Sequence, residues 1–415
     1  MGLGSIVGTG VFVSLGVAAG VAGSGILLVL PLAGLLALFN GLSSAQLAAT
    51  YPVSGGTYEY GYRLLGPSFG FAAGLAFLLA KCASAATAAL GFSGYLLVLI
   101  GVSPRPLLLV TGGVIVALGV TSLVLGGIRK SNRVNAWLIG YTLAALTLFL
   151  VFGLPAAGSA LADLRADLAT GSGGAAGPLT RSSFLQATAL LFVAYTGYGR
   201  IATLGEEVRA PRHTIPRAIW ATLAFVAVLY MGVAAVALGS LGPKGFSEAT
   251  LQTAAPLQEA ARVIGTPGLA HLVALAAVTA MLGVLLNLIL GLSRVVLAMG
   301  RRGDLPASLE SVDVGSGSPR AAVAVVGVTI GVLVLLGDVR TTWSFSAFTV
   351  LLYYGITNLA ALRLPPEARL YPRWIPLLGL VGCLLLAFHV TPAVWIAGSV
   401  IVLGALGARA VIHRG

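Results

Sequence analysis

Acidic side chains are scarce in this chain. Asp and Glu together number twelve among 415 residues, all charged residues make up 9%, and no Asp or Glu falls within a long apolar run. Soluble domains carry about 25% charged residues, so a soluble fold is excluded. The same shortage argues against a carboxylate proton relay through a bilayer. Cysteine is nearly absent: Cys82 and Cys383 both lie in apolar runs, which excludes a disulfide framework and marks them as small core residues. Histidine numbers four, and His271 and His389 stand too isolated to bind a metal, so no metal and no cofactor are expected. Gly91-Phe92-Ser93-Gly94 looks superficially like an intramembrane protease serine motif, but no histidine lies where a partner helix would supply a base. An enzyme is therefore not expected. The net charge of +12 and pI near 10.2 do not imply nucleic acid, because no basic patch lies in a soluble domain.

What is present is apolar. Hydrophobic residues make up 58% of the chain and mean hydropathy is +1.00. About 20 apolar residues cross the hydrocarbon core, and on that measure an all-α, polytopic membrane protein with twelve spans is expected. Their limits are 1–22, 24–50, 67–100, 106–126, 134–155, 183–205, 216–241, 267–299, 320–337, 341–362, 373–389 and 392–411. Lys and Arg divide unevenly between the two sets of loops, fifteen against six, and the richer set includes Arg63, Arg129, Lys130, Arg133, Arg209, Arg301 and Arg302. Basic loops stay in the cytoplasm, which puts both termini inside. The first apolar run reads as a span rather than a cleavable signal. Only seven residues precede Gly8, whereas a half-helix across half the core needs roughly ten. That leaves open that Met1 is internal to a longer chain.

Two spans are interrupted by glycine, the first at Gly8-Thr9-Gly10 and the sixth within Ala194-Tyr195-Thr196-Gly197-Tyr198-Gly199-Arg200. Backbone groups freed inside a membrane cost several kcal/mol each unless protein, water or ligand satisfies them, so such breaks line cavities and in transporters hold solute near the midplane. Five spans separate the two breaks, so the second copy of a repeat would be inverted. The connections agree. Thr57 to Leu65 follows span 2 and Ala254 to Ile264 follows span 7, each reading as a short interfacial helix stopped by Gly and Pro. The expected organisation is a first five-helix unit over 1–155, an external loop over 156–182, a second, inverted unit over 183–363, and helices 11 and 12 over 364–415.

Gly8-Thr9-Gly10 lacks the strand-to-helix setting of a nucleotide loop. Its amides, at the start of a half-helix, suit a carboxylate; close helix packing through small residues is the plainer reading. The carbonyls of Ala194 to Gly197 suit an ammonium. Amides on one side and carbonyls on the other fit a zwitterion, which points to an amino acid. Ionisable groups inside the spans are few: Lys81, Arg200 after the second break, and Arg294. Lys81 could exchange a proton on desolvation, or simply snorkel. Arg200 and Arg294 with Glu206 and Glu207 read as a gate or structural network at the cytoplasmic end.

Ile6-Val7-Gly8-Thr9-Gly10-Val11-Phe12 resembles the first-helix signature of the amino acid–polyamine–organocation superfamily. Phe192-Val193-Ala194-Tyr195-Thr196-Gly197-Tyr198 resembles its sixth-helix signature, and Glu206-Glu207-Val208-Arg209-Ala210-Pro211 the loop that follows. Arg129 to Asn135 and Phe345 to Thr349 with Tyr353-Tyr354 resemble its fifth and tenth helices. The resemblance implies a LeuT-type fold, a five-plus-five inverted repeat with two extra helices, and alternating-access amino acid transport. It implies that Val7, Gly8, Thr9 and Gly10 hold the substrate carboxylate and that Val193, Ala194, Tyr195 and Gly197 hold the amine, with Tyr195 or Tyr198 shaping a pocket or gate. Proton-coupled relatives carry a lysine about where Thr142 falls, and sodium-dependent relatives use helix-eight hydroxyls, for which Thr279 is the candidate here. The reading is thus a secondary amino acid transporter, coupled to H+ by symport or exchange with Na+ left open, with the bilayer as its other partner. A polyamine or organic-cation carrier is the alternative, then a sensor or a channel.

Overall fold

The computed structural model describes residues 6–52, 55–127, 132–170, 179–202, 211–313 and 318–412. All regular structure among them is helical. Eight stretches are long and apolar enough to cross a membrane: Gly10–Thr50, Pro67–Leu99, Pro106–Leu125, Arg133–Ala169, Arg212–Thr253, Leu269–Arg301, Val339–Leu362 and Pro392–Val411. Arg320–Leu336 and Trp374–Ala387 are shorter apolar helices. This is a multi-pass membrane protein.

The first stretch opens with a π-turn over Gly10–Ser14, continues as α1 (Leu15–Ala22), turns through Gly23–Gly25 and runs on as α2 (Ile26–Thr50). Gly23 has φ 57°, a left-handed backbone that only glycine adopts at little cost. The short α3 (Thr57–Leu64) stops before Gly66 and Pro67, and α4 (Pro67–Leu99) follows. Next come α5 (Pro106–Leu125) and α6 (Asn132–Thr170). The sixth expected span is α7 (Arg181–Tyr195), a 3-10 turn at Thr196–Tyr198, and α8 (Gly199–Ala202). Then follow α9 (Pro211–Thr253), broken at Gly242 with φ 69°, α10 (Pro256–Ile264) and α11 (Leu269–Arg301). The chain closes with α12 (Arg320–Leu336), α13 (Val339–Leu362), α14 (Trp374–Ala387) and α15 (Pro392–Ile412).

The span expected to end at 155 continues as helix, through Pro155, to Thr170, so the stretch expected as a loop from 156 opens with helix. Hydropathy falls further on, at Asp163, Arg165 and Asp167. The run Ala160-Leu161-Ala162 to Leu168-Ala169 is nevertheless rich in Ala and Leu, the strongest helix formers, and so keeps its helix. Glu206, Glu207, Arg209, Arg129 and Lys130 lie outside the described residues.

The core is organised around α4 and α13, which pack on each other, with α11 also against α4. On the other side, α9 packs against α1, α2 and α6. The outer helices show apolar faces: Ile115, Trp137, Val228 and Leu336 are each at least 71% exposed, a surface that only lipid would cover without cost.

Candidate functional site

The two interruptions come together. The first begins as a bend at Val7 and Gly8, and the carbonyl of Gly8 accepts from the amides of both Val11 (3.1 Å) and Phe12 (3.2 Å). Thr9 already has helical angles (φ −50°, ψ −33°). The break therefore lies about one residue earlier than Gly8-Thr9-Gly10 suggests, and Thr9 and Gly10 open the next helix. The Ser14 hydroxyl donates to the Gly10 carbonyl. Thr9 is 5% exposed and its hydroxyl has no partner among the described residues, an orphan polar group of the kind that normally needs an explanation.

Gly10 is the point of contact. A methyl placed on it would lie 3.1 Å from Cβ and 3.2 Å from Cα of Ala194, and 2.8 Å from the Tyr230 hydroxyl. Only a residue without Cβ lets the two backbones approach this closely. Gly8 faces α11 instead, where a methyl would come within 2.6 Å of Val284 Cγ2.

At the second break three carbonyls are served by hydroxyls. Thr196 Oγ1 donates to Val193 O at 2.8 Å, Tyr230 reaches Ala194 O at 3.3 Å, and Tyr354 donates to Thr196 O at 3.3 Å. Tyr230 also donates to Ile6 O at 2.8 Å, so one buried phenol on α9 spans both interruptions. Tyr195 is fully buried, donates to Leu30 O on α2 at 3.2 Å and stacks 5.4 Å from the Tyr230 ring. Tyr198 is equally buried and packs 5.4 Å from Tyr354. Gly197 lies in the 3-10 turn, and Arg200 is half-buried just beyond it.

Lys81 of α4 donates to Thr196 Oγ1 at 3.1 Å. It thus meets the second break, not the first. Thr142 and Thr279 join neither. Thr142 is buried but donates to Leu138 O of its own helix at 2.8 Å, and Thr279 donates to Leu275 O (2.9 Å) and Ala276 O (3.1 Å) of its own helix. The arrangement is a buried centre of backbone polar groups, hydroxyls and one amine, open to recognition of a small polar solute rather than to covalent chemistry.

A profile described as "Amino acid permease" matches residues 1–410. The chain belongs to the amino acid permease family. It is a transporter and not an enzyme. It is 42% identical to an uncharacterised transporter of Mycobacterium tuberculosis, over all of this chain and 90% of that one. It is 29% identical to a branched-chain amino acid permease of Bacillus subtilis, over 75% of this chain and 67% of the relative, and 27% identical to a chloroplastic cationic amino acid transporter of Arabidopsis thaliana, over 88% and 64%.

Sequence reasoning missed several residues of this transporter's centre. Tyr230 carried no motif. Its signal is a phenol inside an apolar span, a residue that when buried usually finds a hydrogen-bond partner. Tyr95 of α4 is similar: it donates to Phe12 O at 2.9 Å and accepts from the Leu257 amide at 3.2 Å. Just past one end of α11, the Asp304 side chain is fully buried, paired with Arg409 at 2.9 Å, and accepts from Tyr58 (2.8 Å) and Tyr62 (2.6 Å). Beside it Arg302 pairs with Glu59 at 2.9 Å, at the edge of a cavity of about 380 Å³ that Arg63 also lines.

Proposed function

We propose that this protein carries amino acids across the cytoplasmic membrane by alternating access, binding them where its two broken helices meet. The observation that carries this reading is the Gly10–Ala194 contact, which sets a helix start beside a set of displaced carbonyls. The helix start supplies amide hydrogens and a positive dipole end for a carboxylate. The carbonyls of Val193, Ala194 and Thr196 supply acceptors for an ammonium. The orphan hydroxyl of Thr9 adds a further polar group.

Twelve spans follow if Gly10–Thr50 is two spans joined at Gly23–Gly25 and if the two short apolar helices and the broken α7–α8 segment each cross once. A LeuT-type pair of inverted five-helix units is supported by breaks in spans 1 and 6 and by short helices after spans 2 and 7, α3 and α10. The loop charges favour both termini in the cytoplasm.

Coupling to protons, by symport or exchange, is the reading we favour over sodium. Thr279 is the evident hydroxyl on α11 for a sodium ion, and it is directed to its own helix. A polyamine carrier is disfavoured because no Asp or Glu occurs in α1, α2, α4, α7, α11 or α13, leaving a polycation without a counter-charge.

The test is a thermal-shift screen of the purified protein against all amino acids and common polyamines at two pH values, followed by uptake in proteoliposomes with and without a pH gradient. Ligands that bind the folded state raise its melting temperature. Saturable uptake of amino acids, driven by the pH gradient, is expected. Stabilisation by polyamines alone, or flux that never saturates, would refute the reading.

A further inference from the structure

Lys81 is a cationic side chain that the structure brings onto the second break, and among the described residues it is in no ion pair; Glu59 on the neighbouring α3 is already paired with Arg302. It sits midway along α4, half-buried, with Nζ 3.1 Å from Thr196 Oγ1. The Thr196 hydroxyl has already given its hydrogen to Val193 O, so it can only accept from the lysine. The ion pairs among the described residues are Lys244–Glu248, Arg262–Glu259, Arg302–Glu59, Arg320–Asp313 and Arg409–Asp304; Lys81 is in none of them. Its surroundings on α4 are Phe77, which packs 5.1 Å from Tyr353, and Ser84, which pairs with Ser346 at 2.8 Å. These are hydroxyls and rings, which solvate an ammonium without neutralising it. A charge set midway along a membrane helix without an ion-pair partner among the described residues is costly, and such a residue marks a solute pathway.

We propose that the counter-charge arrives with the solute: this protein selects amino acids whose side chain carries a carboxylate, and Lys81 receives that carboxylate. The inference rests on the reading that the two breaks hold the α-carboxylate and α-ammonium. Those backbone groups account for the two charges every amino acid shares. Lys81 reaches the second break from a different helix and adds a third charged position, which is what an aspartate or glutamate needs. A cationic side chain in the same place would face both Lys81 and the substrate's own ammonium, so lysine and arginine are rejected.

The experiment compares L-glutamate with L-glutamine, which has nearly the same shape and no side-chain charge, and adds L-aspartate, L-leucine and L-lysine. Half-saturation is read from thermal shift and from uptake into proteoliposomes, with the wild-type protein, Lys81→Met and Lys81→Arg. Wild type is expected to prefer glutamate to glutamine by about tenfold or more, the scale of one charge-assisted hydrogen bond, and to ignore lysine. Lys81→Met should abolish that ratio and Lys81→Arg should restore part of it. Preference of the wild type for glutamine or leucine over glutamate overturns the proposal while leaving amino acid transport standing. So does a Lys81→Met protein that keeps the glutamate preference and loses only the response to a pH gradient, which would make Lys81 a proton carrier. Failure of every amino acid to bind overturns both readings. The wild-type glutamate-to-glutamine ratio stands as a measurement even where a Lys81 variant fails to fold.

Discussion

Gly10→Ala is the sharpest test of the contact between the two breaks. The added methyl would lie 2.8 Å from the Tyr230 hydroxyl, 3.1 Å from Ala194 Cβ and 3.2 Å from Ala194 Cα. Ordinary carbon contacts settle at about 3.5–4.0 Å, so several tenths of an ångström must be found at two points. Ala194 Cα is backbone and cannot rotate away. Tyr230 is held at 2.8 Å to Ile6 O. Overpacking of this kind costs about 1–3 kcal/mol. Should Tyr230 yield, a buried carbonyl loses its donor for about 1–3 kcal/mol more. The control is Gly119→Ala on α5, where nothing lies within 4 Å of the new methyl and the substitution relieves a helix of glycine, a gain of roughly 0.5–1 kcal/mol. Gly8→Ala should fall between, because only the Val284 side chain opposes it. Thermal unfolding in detergent, with matched uptake assays, reads all three. The expected order of melting temperature is Gly119→Ala, then Gly8→Ala, then Gly10→Ala, with uptake lost in the last. A Gly10→Ala protein as stable and active as Gly119→Ala would refute the close approach of the helices.

Tyr230→Phe removes one hydroxyl from two carbonyls, and a loss of about 1–3 kcal/mol in stability with a lowered half-saturation for uptake is expected; an unchanged melting curve would place the bridge elsewhere. Asp304→Asn removes the carboxylate that pairs with Arg409, a side chain 14% exposed against a fully buried partner, and should cost up to about 3–5 kcal/mol. The double variant Asp304→Asn with Arg409→Met should recover part of that in a melting assay. Burial, and then the hydrogen bond to Asp304, push the Tyr62 phenol up to about 12. A group raised in the folded state stabilises fully below its unfolded value near 10 and loses that contribution as pH climbs through 12. Melting temperature should therefore fall between pH 10 and 12 more steeply in wild type than in Tyr62→Phe.

The parts of this fold that depend on neighbours in sequence are legible from it. Glycine and proline stops delimit α3 and α10 within two residues, because a helix end is a local event. The two breaks are visible for the same reason: Gly8, Gly10, Gly197 and Gly199 interrupt apolar runs. The end of α6 was not legible from the span limit at 155, because hydropathy reports lipid and not helix, and the helix runs on through Pro155 to Thr170. The partners of the breaks were not legible at all. Tyr230 stands 36 residues from Ala194 and 224 from Ile6 in sequence, and no periodicity connects them. Lys81 stood out by its charge, yet only the packing of α4 shows that it reaches Thr196 rather than the first break. Thr142 and Thr279 drew attention by position in a resemblance, and a threonine hydroxyl in a helix often bonds back to its own turn, as both do.

The hydroxyls also change how an ammonium would be held. From sequence the second break offers bare carbonyls, but Val193, Ala194 and Thr196 each already receive a side-chain hydroxyl. This explains how the break persists without a ligand, since each carbonyl left dry would cost several kcal/mol in the membrane interior. It does not close the site. A carbonyl oxygen has two acceptor lone pairs, and the Tyr230 phenol has a single hydrogen for both Ile6 O and Ala194 O. The longer of its contacts, 3.3 Å to Ala194 O, is therefore the weaker claim on that oxygen. An arriving ammonium would take Ala194 O and leave Tyr230 on Ile6 O, so binding removes a shared hydrogen bond and completes two. On this argument Tyr230→Phe weakens the empty protein more than the loaded one, and the stabilisation given by a bound amino acid should be larger in the variant than in wild type.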